Sequence, residues 1–325
     1  MTKNLHTIIV KIRNMQVQTE EKFKECCQIL KKGDILKADE LLKEVLMEAL
    51  DNEQIKFAVN CFSFWTNIIR QLPSIKDSYE RGETLLTSWE TFLPFTQKQK
   101  YKPDESILYY FKCGIFSIAL QNYSELVDIQ DFAQRAEITR KIGLCYKKLG
   151  EYETAKNFLA ESNKLKAGEA AVIAELADCF ALCGEDRQAK VLFREAFYID
   201  AQKVDLCFLD SELIQCLIRK IEEKGYTGDE LLAWVPVYAQ IFGVFTVKRQ
   251  LKPQEVFKLK QEMYAAENEM KDPGCNRKLI TPRLCNLYFW LIDHYAMNNE
   301  ENTRISEILM RIKILDPVIY QLYVK

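Results

Sequence analysis

Apolar residues recur along most of the chain at intervals of three and four positions, with charged and polar residues between them. The segment 31–46, KKGDILKADELLKEVL, is representative of this spacing. Such a period places the apolar side chains on one face of an α-helix. The period-two alternation of half-buried strands is hard to find, and the sequence contains no Asn-Gly hairpin turn. The pattern predicts an all-α protein.

A repeat is visible in the middle of the chain, where residues 142–166 read IGLCYKKLGEYETAKNFLAESNKLK and residues 176–200 read LADCFALCGEDRQAKVLFREAFYID. Small residues recur where two helices would cross closely, bulky residues fill the space beside the crossing, and a glycine separates the helical runs. The stretches therefore predict two consecutive helical hairpins. Their equivalent pairs are Gly143/Ala177, Tyr146/Phe180, Gly150/Gly184, Ala155/Ala189, Leu159/Phe193 and Ser162/Ala196.

This arrangement resembles the tetratricopeptide repeat, a helix–turn–helix unit of 34 residues. The resemblance implies one right-handed superhelical solenoid of antiparallel hairpins over residues 1–325, acting as a scaffold or adaptor for protein interaction. Its units differ in how closely they follow the repeat pattern. They are 19–52, a shortened 107–135, 136–169 and 170–203 as repeats, 53–93 and 204–250 as degenerate helix pairs, and 253–325 as C-terminal helices with a degenerate repeat-like end.

In the family, the first helix of each hairpin lines a concave face that receives an extended peptide or a partner helix. The corresponding outward positions are expected to bind a protein or peptide here. They are Phe111, Ile115, Glu137, Arg140, Leu144, Lys147, Lys148 and Asp178. Family members that grip a C-terminal carboxylate use paired lysine and asparagine residues one turn apart. This chain has Arg140 with Leu144 and Ala174 with Asp178 at those positions, so that clamp is not expected.

The charge balance bears on the kind of partner. The formal net charge is −2 and the pI is about 6.0, whereas nonspecific nucleic-acid binding requires a basic surface. No nucleic-acid partner is therefore expected. A regulatory protein that senses a signalling peptide or associates with nucleic acid is an alternative, although residues 1–50 look like a repeat rather than a DNA-recognition helix.

Candidate chemistry is scarce in the sequence. The chain contains two histidines, His6 and His294, and lacks the Walker A, GxSxG, HExxH and GxGxxG motifs. Its 11 cysteines include no CxxC pair, and Cys179 with Cys183 would need two distant ligands to close a zinc site. We therefore expect no enzymatic activity, no cofactor and no metal. An unrecognised all-α enzyme is the alternative, and it would require a deep pocket with convergent acidic groups.

One uncharged segment, 231–247, reads LLAWVPVYAQIFGVFTV. Its 17 residues fall short of the roughly 20 that span a bilayer, and it contains a proline, a glutamine and a glycine. We interpret it as a buried core helix, with self-association or partner binding as an alternative, and expect no membrane partner. The scattered cysteines and the lack of an apolar N-terminal run predict a cytoplasmic protein.

Overall fold

The computed structural model describes residues 2–49, 51–126, 129–298 and 302–325, with side chains from residue 17 onward. This part of the chain is about 80% helix and contains no strand. The all-α prediction is therefore confirmed. The chain divides into two compact units, Met1–Phe158 and Leu159–Lys325, which we call the N-terminal and C-terminal units. None of the described helices combines the length and apolar character that crossing a membrane requires.

Among the described residues, seven helices make up the N-terminal unit and its boundary with the C-terminal unit. They are α1 (Thr2–Lys31), α2 (Ile35–Glu48), α3 (Glu53–Gln71), α4 (Ser78–Gln97), α5 (Glu105–Ser124), α6 (Phe132–Leu149) and α7 (Tyr152–Leu165). Most of them pack against their neighbours in sequence, and α1 also packs against α5. The boundary between the two units falls within α7.

Aspartate or asparagine residues mark where helices α2 to α6 begin. Each side chain accepts a hydrogen bond from a backbone N–H in the first helical turn, which has no partner within the helix. Such a cap contributes about 1 kcal/mol to helix stability. The five capping residues are Asp34, Asn52, Asp77, Asp104 and Asp131.

Large aromatic side chains fill the space between α3, α4 and α5. The ring centroid of Trp65 lies 6.4 Å from that of Trp89 and 5.4 Å from that of Phe92. Phe92 in turn lies 5.6 Å from Phe111 of α5. These rings are buried, so they form the core of the N-terminal unit.

Where α1 crosses α5, the two backbones are in direct contact. A Cβ atom at Gly114 would collide with the carbonyl oxygen of Leu30, so only glycine allows this approach. Gly33 follows α1 with a φ of 90°, and it too lies against Gly114. A single turn of α5 therefore fixes how closely α1 can pack.

The described part of the C-terminal unit contains eight further helices. They are α8 (Ala170–Leu182), α9 (Asp186–Asp200), α10 (Glu212–Glu222), α11 (Gly228–Ile241), α12 (Pro253–Glu269), α13 (Arg277–Met297), α14 (Asn302–Leu315) and α15 (Pro317–Tyr323). Helices α11 and α13 pack against each other at its centre, α13 also contacts α12 and α14, and α8 packs closely against α9. Short 3-10 turns, Ala201–Lys203 and Leu206–Phe208, connect α9 to α10.

The uncharged segment 231–247 supplies most of α11 and the turn that follows it. Trp234, Val235, Val237 and Phe245 are buried in the core of the C-terminal unit. The core interpretation is therefore confirmed. Self-association through this segment stays a prediction.

The glycines of the two repeat-like stretches adopt the backbone conformation that the turn requires. Gly150 has a φ of 92° and Gly184 a φ of 80°, in the left-handed region that other residues rarely enter. Ala155 and Ala189, which are equivalent in the comparison of the two sequence stretches, are both fully buried. Both turns have the left-handed glycine that the sequence predicts, and the repeat itself stays a prediction.

Candidate functional site

Three apolar residues expected on a binding face lie instead in the interior. Phe111, Ile115 and Leu144 have no solvent-exposed surface. Phe111 packs its ring 4.8 Å from that of Phe62. The outward orientation expected for these residues is therefore wrong. For α5 the reason is that α1, α4 and α6 all pack against it.

Two predicted cations are buried as well. Lys147 is 1% exposed and Lys148 is 3% exposed, so neither presents its charge to a partner on the surface. Both lie in the last turn of α6, where a positive charge interacts favourably with the unpaired carbonyl groups of the helix end. The expected orientation of these lysines is also wrong.

Asp178 has a structural role that the sequence did not indicate. It is fully buried, and its carboxylate accepts hydrogen bonds from the backbone N–H groups of Asp210 and Ser211, both at 2.8 Å. Helix α10 begins at Glu212, immediately after these two residues. Asp178 of α8 therefore anchors the start of α10, and the expected outward orientation of this residue is wrong.

Glu137 and Arg140 retain accessible surface on α6. Arg140 donates to Glu137 at 3.3 Å, and Lys141 forms an ion pair of 2.8 Å with Glu83 of α4. Tyr123 of α5 donates to the same Glu83 at 2.6 Å. Three helices of the N-terminal unit are thus joined by one polar network. Partner binding at Glu137 and Arg140 stays a prediction.

A cavity lined by both apolar and polar side chains lies in the C-terminal unit, between helices α9, α11, α12 and α13. Its volume is about 340 Å³, at the lower end of the roughly 300–1,000 Å³ typical of ligand pockets. Its floor is apolar and buried. The floor is formed by Phe197, Ala233, Pro236, Ile280 and Leu287.

Asn286 lines this cavity from α13 and is 8% exposed. Its side chain has no hydrogen-bond partner among the residues that the structure describes. The amide offers both a donor and an acceptor, so it is suited to bind a polar group that enters the cavity.

The rim of the cavity carries several charged side chains. Asp200, Glu262 and Glu269 contribute three carboxylates and Arg283 one guanidinium. Asp200 forms an ion pair with Lys203 at 4.0 Å, and Glu262 forms one with Lys258 at 3.7 Å, so two of the three carboxylates already have a cationic partner.

Glu269 and Arg283 of this rim form no ion pair within the described ranges, and both are exposed. Their charges are therefore available to a molecule that reaches the mouth of the cavity. Glu269 lies at the end of α12 and Arg283 in the second turn of α13, so the rim draws on two helices.

Tyr198 forms one wall of the cavity, and its ring lies 4.7 Å from that of Trp290. Burial raises the pKa of its hydroxyl above the ordinary value of 10.0, and the charge of Glu262 raises it further. The hydroxyl therefore stays protonated at neutral pH, where it is available as a hydrogen-bond donor.

Behind this wall, a buried ion pair joins α9 to α13. Arg194 donates to Asp293, both side chains are almost fully buried, and Lys248 contacts the other oxygen of Asp293 at 2.6 Å. The Arg194 guanidinium also lies over the Trp290 ring at 4.3 Å. These contacts fix two walls of the cavity, which reduces the free energy lost on ordering a binding site.

A larger groove of about 800 Å³ lies in the N-terminal unit between α1, α3 and α5. Several of its polar side chains already have partners within the protein. Thr19 donates to Glu48 at 2.9 Å, and Gln54 donates to Asp104 at 3.0 Å. We therefore take the smaller cavity as the candidate site.

Sequence reasoning missed this cavity because its residues come from four separate helices. One local signal was present. Asn286 is the only amide in the otherwise apolar stretch LCNLYFWLI of residues 284–292, which is unusual for a buried helix face.

Among the described residues, no group of three or more His, Cys, Asp or Glu side chains is arranged to hold a metal ion. The chain matches no family model, no curated protein and no solved structure.

Proposed function

We propose that this protein is an interaction module that binds a peptide or an α-helix of a partner protein, with the cavity of the C-terminal unit as an anchor for one partner side chain. The observation that carries this proposal is the unpartnered, nearly buried Asn286 in a cavity with an apolar floor. Such a site combines apolar area for affinity with a fixed polar group for specificity.

A tetratricopeptide-like arrangement of hairpins supports this function. Gly150 and Gly184 close turns in the left-handed conformation, and Ala155 and Ala189 are buried at equivalent places. A helical hairpin of this kind leaves an apolar face that only a neighbouring helix can cover, so hairpins stack and build surfaces for elongated partners. We infer the repeat architecture from these local features and from the internal similarity of the sequence.

The proposal is tested by selecting peptides from a random display library on immobilised full-length protein. A set of related sequences is expected to be enriched on the wild type. Asn286→Leu keeps nearly the same side-chain volume but removes the amide, so these peptides are expected to bind it more weakly. Enrichment of no sequence family, or equal binding to folded Asn286→Leu, would contradict the proposed site.

Glu223→Gln is a suitable matched control for these selections. Glu223 is exposed just after α10 and does not line the cavity. The change removes a carboxylate from the same unit while the candidate site stays intact. Circular dichroism and unfolding curves of each variant separate a loss of binding from a loss of folding.

A further inference from the structure

The lining of the cavity indicates which partner side chain it takes. We propose that it binds the side chain of a tyrosine in the partner peptide, an inference that rests on the proposed peptide-binding function. Its basis is the juxtaposition of an apolar floor, the nearly buried amide of Asn286 and a rim whose charges are balanced.

The rim favours an uncharged group. Two of its three carboxylates, those of Asp200 and Glu262, already have a lysine partner. The two remaining charges, on Glu269 and Arg283, are opposite in sign, and both are exposed and therefore screened by water and salt. A charged side chain would lose hydration on entering without gaining a fixed counter-charge, whereas a neutral polar group needs only a hydrogen bond.

Asn286 favours a polar group that can both donate and accept a hydrogen bond. Its amide carries an NH₂ donor and a carbonyl acceptor, and neither has a partner among the described residues. A hydroxyl, a carboxamide or a neutral imidazole can pair with either one, whereas the indole N–H of tryptophan only donates.

The size and apolar character of the cavity select tyrosine from these groups. Serine, threonine, asparagine and glutamine carry few apolar atoms, so any of them would leave most of the volume of about 340 Å³ to water. Neutral histidine has two polar ring nitrogens, and one of them would face the apolar floor without a partner. Tyrosine carries a large ring, which buries about 150–250 Å² in protein cores and interfaces, and one hydroxyl at its end.

The floor and one wall suit the ring of this side chain. Phe197, Ile280 and Leu287 are buried and provide an apolar floor, and Tyr198 provides an aromatic wall. Aromatic rings pack favourably against one another in edge-to-face and offset arrangements, beyond the effect of apolar area alone. Arg283 is exposed at the rim, so the cavity is open to a tyrosine that is still part of a chain.

The direct test is a methyl NMR titration of the full-length protein with N-acetyl-tyrosine-N-methylamide, which presents the side chain between two peptide bonds. Saturable shifts are expected for the methyl groups of Ile280 and Leu287, because a bound aromatic ring shifts the resonances of nearby methyl groups, with none at Ile35 of the N-terminal unit. The corresponding phenylalanine compound has the same ring without the hydroxyl. It is expected to bind about fivefold more weakly, as for one lost hydrogen bond between uncharged groups.

Variants assign the hydroxyl contact to Asn286. Asn286→Leu is expected to bind the tyrosine and phenylalanine compounds equally, because it keeps the side-chain volume but removes the amide. Retained binding of the phenylalanine compound shows that the cavity of this variant is intact, and Glu223→Gln should keep the wild-type difference. Equal affinity of the wild type for both compounds, a difference that persists in Asn286→Leu, or the absence of shifts at Ile280 and Leu287 would overturn the tyrosine assignment.

A phosphotyrosine compound tests the charge of the ligand. The phosphate adds a charge of about −1.5 to −2 at pH 7 to the same ring. Because the rim charges are balanced, this compound is expected to bind more weakly than the tyrosine compound. Tighter binding would mean that Arg283 recognises an anion, and the assignment of a neutral hydroxyl would be wrong.

The outcomes also separate this inference from the proposed function. If display selects peptides that require Asn286 but contain no tyrosine, the interaction function stands and the tyrosine assignment is wrong. If free tyrosine binds much more tightly than the capped compound, the ligand is the amino acid itself, and the partner-peptide assignment is wrong. Tyrosine in the selected peptides, together with weak binding of free tyrosine, supports both proposals.

Discussion

The ring of Tyr123 on α5 occupies the space beside Gly82 on α4. In any residue other than glycine, the Cβ atom would lie in that space. A Cβ atom at Gly82 would lie 2.6 Å from Cε1 and 2.9 Å from Cε2 of that ring. The ring is buried, and its hydroxyl donates to Glu83, the residue next to the glycine. Ring and glycine therefore form one packing unit that sets the distance between the two helices.

We expect Gly82→Ala to lower the free energy of unfolding by about 1–3 kcal/mol, because the new methyl group overpacks the crossing of α4 and α5. This loss should outweigh the gain in helix propensity from alanine. Denaturant unfolding measures the change, and Thr87→Ala on the exposed side of α4 is the control.

A second substitution tests whether the Tyr123 ring is the cause. In the background of Gly82→Ala, the change Tyr123→Leu should cost less than it does in the wild type, because the smaller side chain makes room for the methyl group. Additive effects of the two changes would contradict direct contact as the source of the destabilisation.

The structural role of Asp178 predicts a loss of stability when its carboxylate is removed. Asp178→Ala leaves the N–H groups of Asp210 and Ser211 without their acceptor, so we expect a cost of about 1–3 kcal/mol in the free energy of unfolding. Asp178→Asn keeps one acceptor oxygen and should cost less.

Thermal unfolding of these Asp178 variants, read beside peptide binding, separates the two roles considered for this residue. An unchanged midpoint of thermal unfolding together with lost peptide binding would support the sequence-based prediction that Asp178 belongs to an interaction surface. Loss of stability with binding retained at low temperature agrees with an anchor for the start of α10.

The general fold was accessible from sequence because its signals are local. The three-to-four spacing predicts helices, and Asp34 and Asn52 precede the helices that they cap. Which side of a helix is covered by other helices does not follow from such local signals. Phe111 is buried partly because α5 packs against α1, and the contact of Gly114 with Leu30 joins positions far apart in sequence.

The candidate cavity is harder to predict from the sequence for the same reason. Asn286 can be noticed as an amide in an apolar run, but its place in a cavity depends on α9, α11 and α12. Glu262 and Glu269 are single acidic residues on a charged helix and carry no motif. Only the folded chain brings them to one rim.

Buried cysteines predict that stability falls at alkaline pH. Burial raises the pKa of the Cys61 thiol from 9.0 to about 12, and it raises the pKa of Cys26 to about 12 and of Cys27 to about 11. Below about pH 9 these thiols are protonated in both states. Above it, the unfolded chain loses protons that the folded chain retains, so the free energy of unfolding decreases until the folded pKa values are reached.

Cysteine variants test this contribution. Each thiol that titrates only in the unfolded state contributes a slope of up to about 1.4 kcal/mol per pH unit. Cys61→Ala should therefore show a shallower decline than wild type above pH 9, whereas Cys207→Ala, which replaces an exposed thiol, should follow the wild-type slope. Parallel slopes for wild type and Cys61→Ala would contradict the prediction.

The ion pair between Arg194 and Asp293 predicts that substitutions of these two residues have strongly non-additive effects on the free energy of unfolding. Asp293→Asn leaves the buried Arg194 guanidinium without its counter-charge, and removal of one member of such a pair costs about 3–5 kcal/mol. Lys248 is 40% exposed and can turn toward water, so most of this cost comes from the buried charge of Arg194. The double variant Arg194→Met/Asp293→Leu replaces both charges with apolar groups, and it should recover most of the lost stability.

Because Arg194 and Asp293 hold α9 against α13 behind the cavity, the same variants report on the binding site. Asp293→Asn should weaken the binding of selected peptides although neither residue lines the cavity, and the double variant should restore the binding together with the stability. Unfolding curves and peptide titrations on the same samples measure both quantities. A double variant that regains stability but still fails to bind would mean that the charges of this pair, rather than the packing they maintain, contribute to recognition.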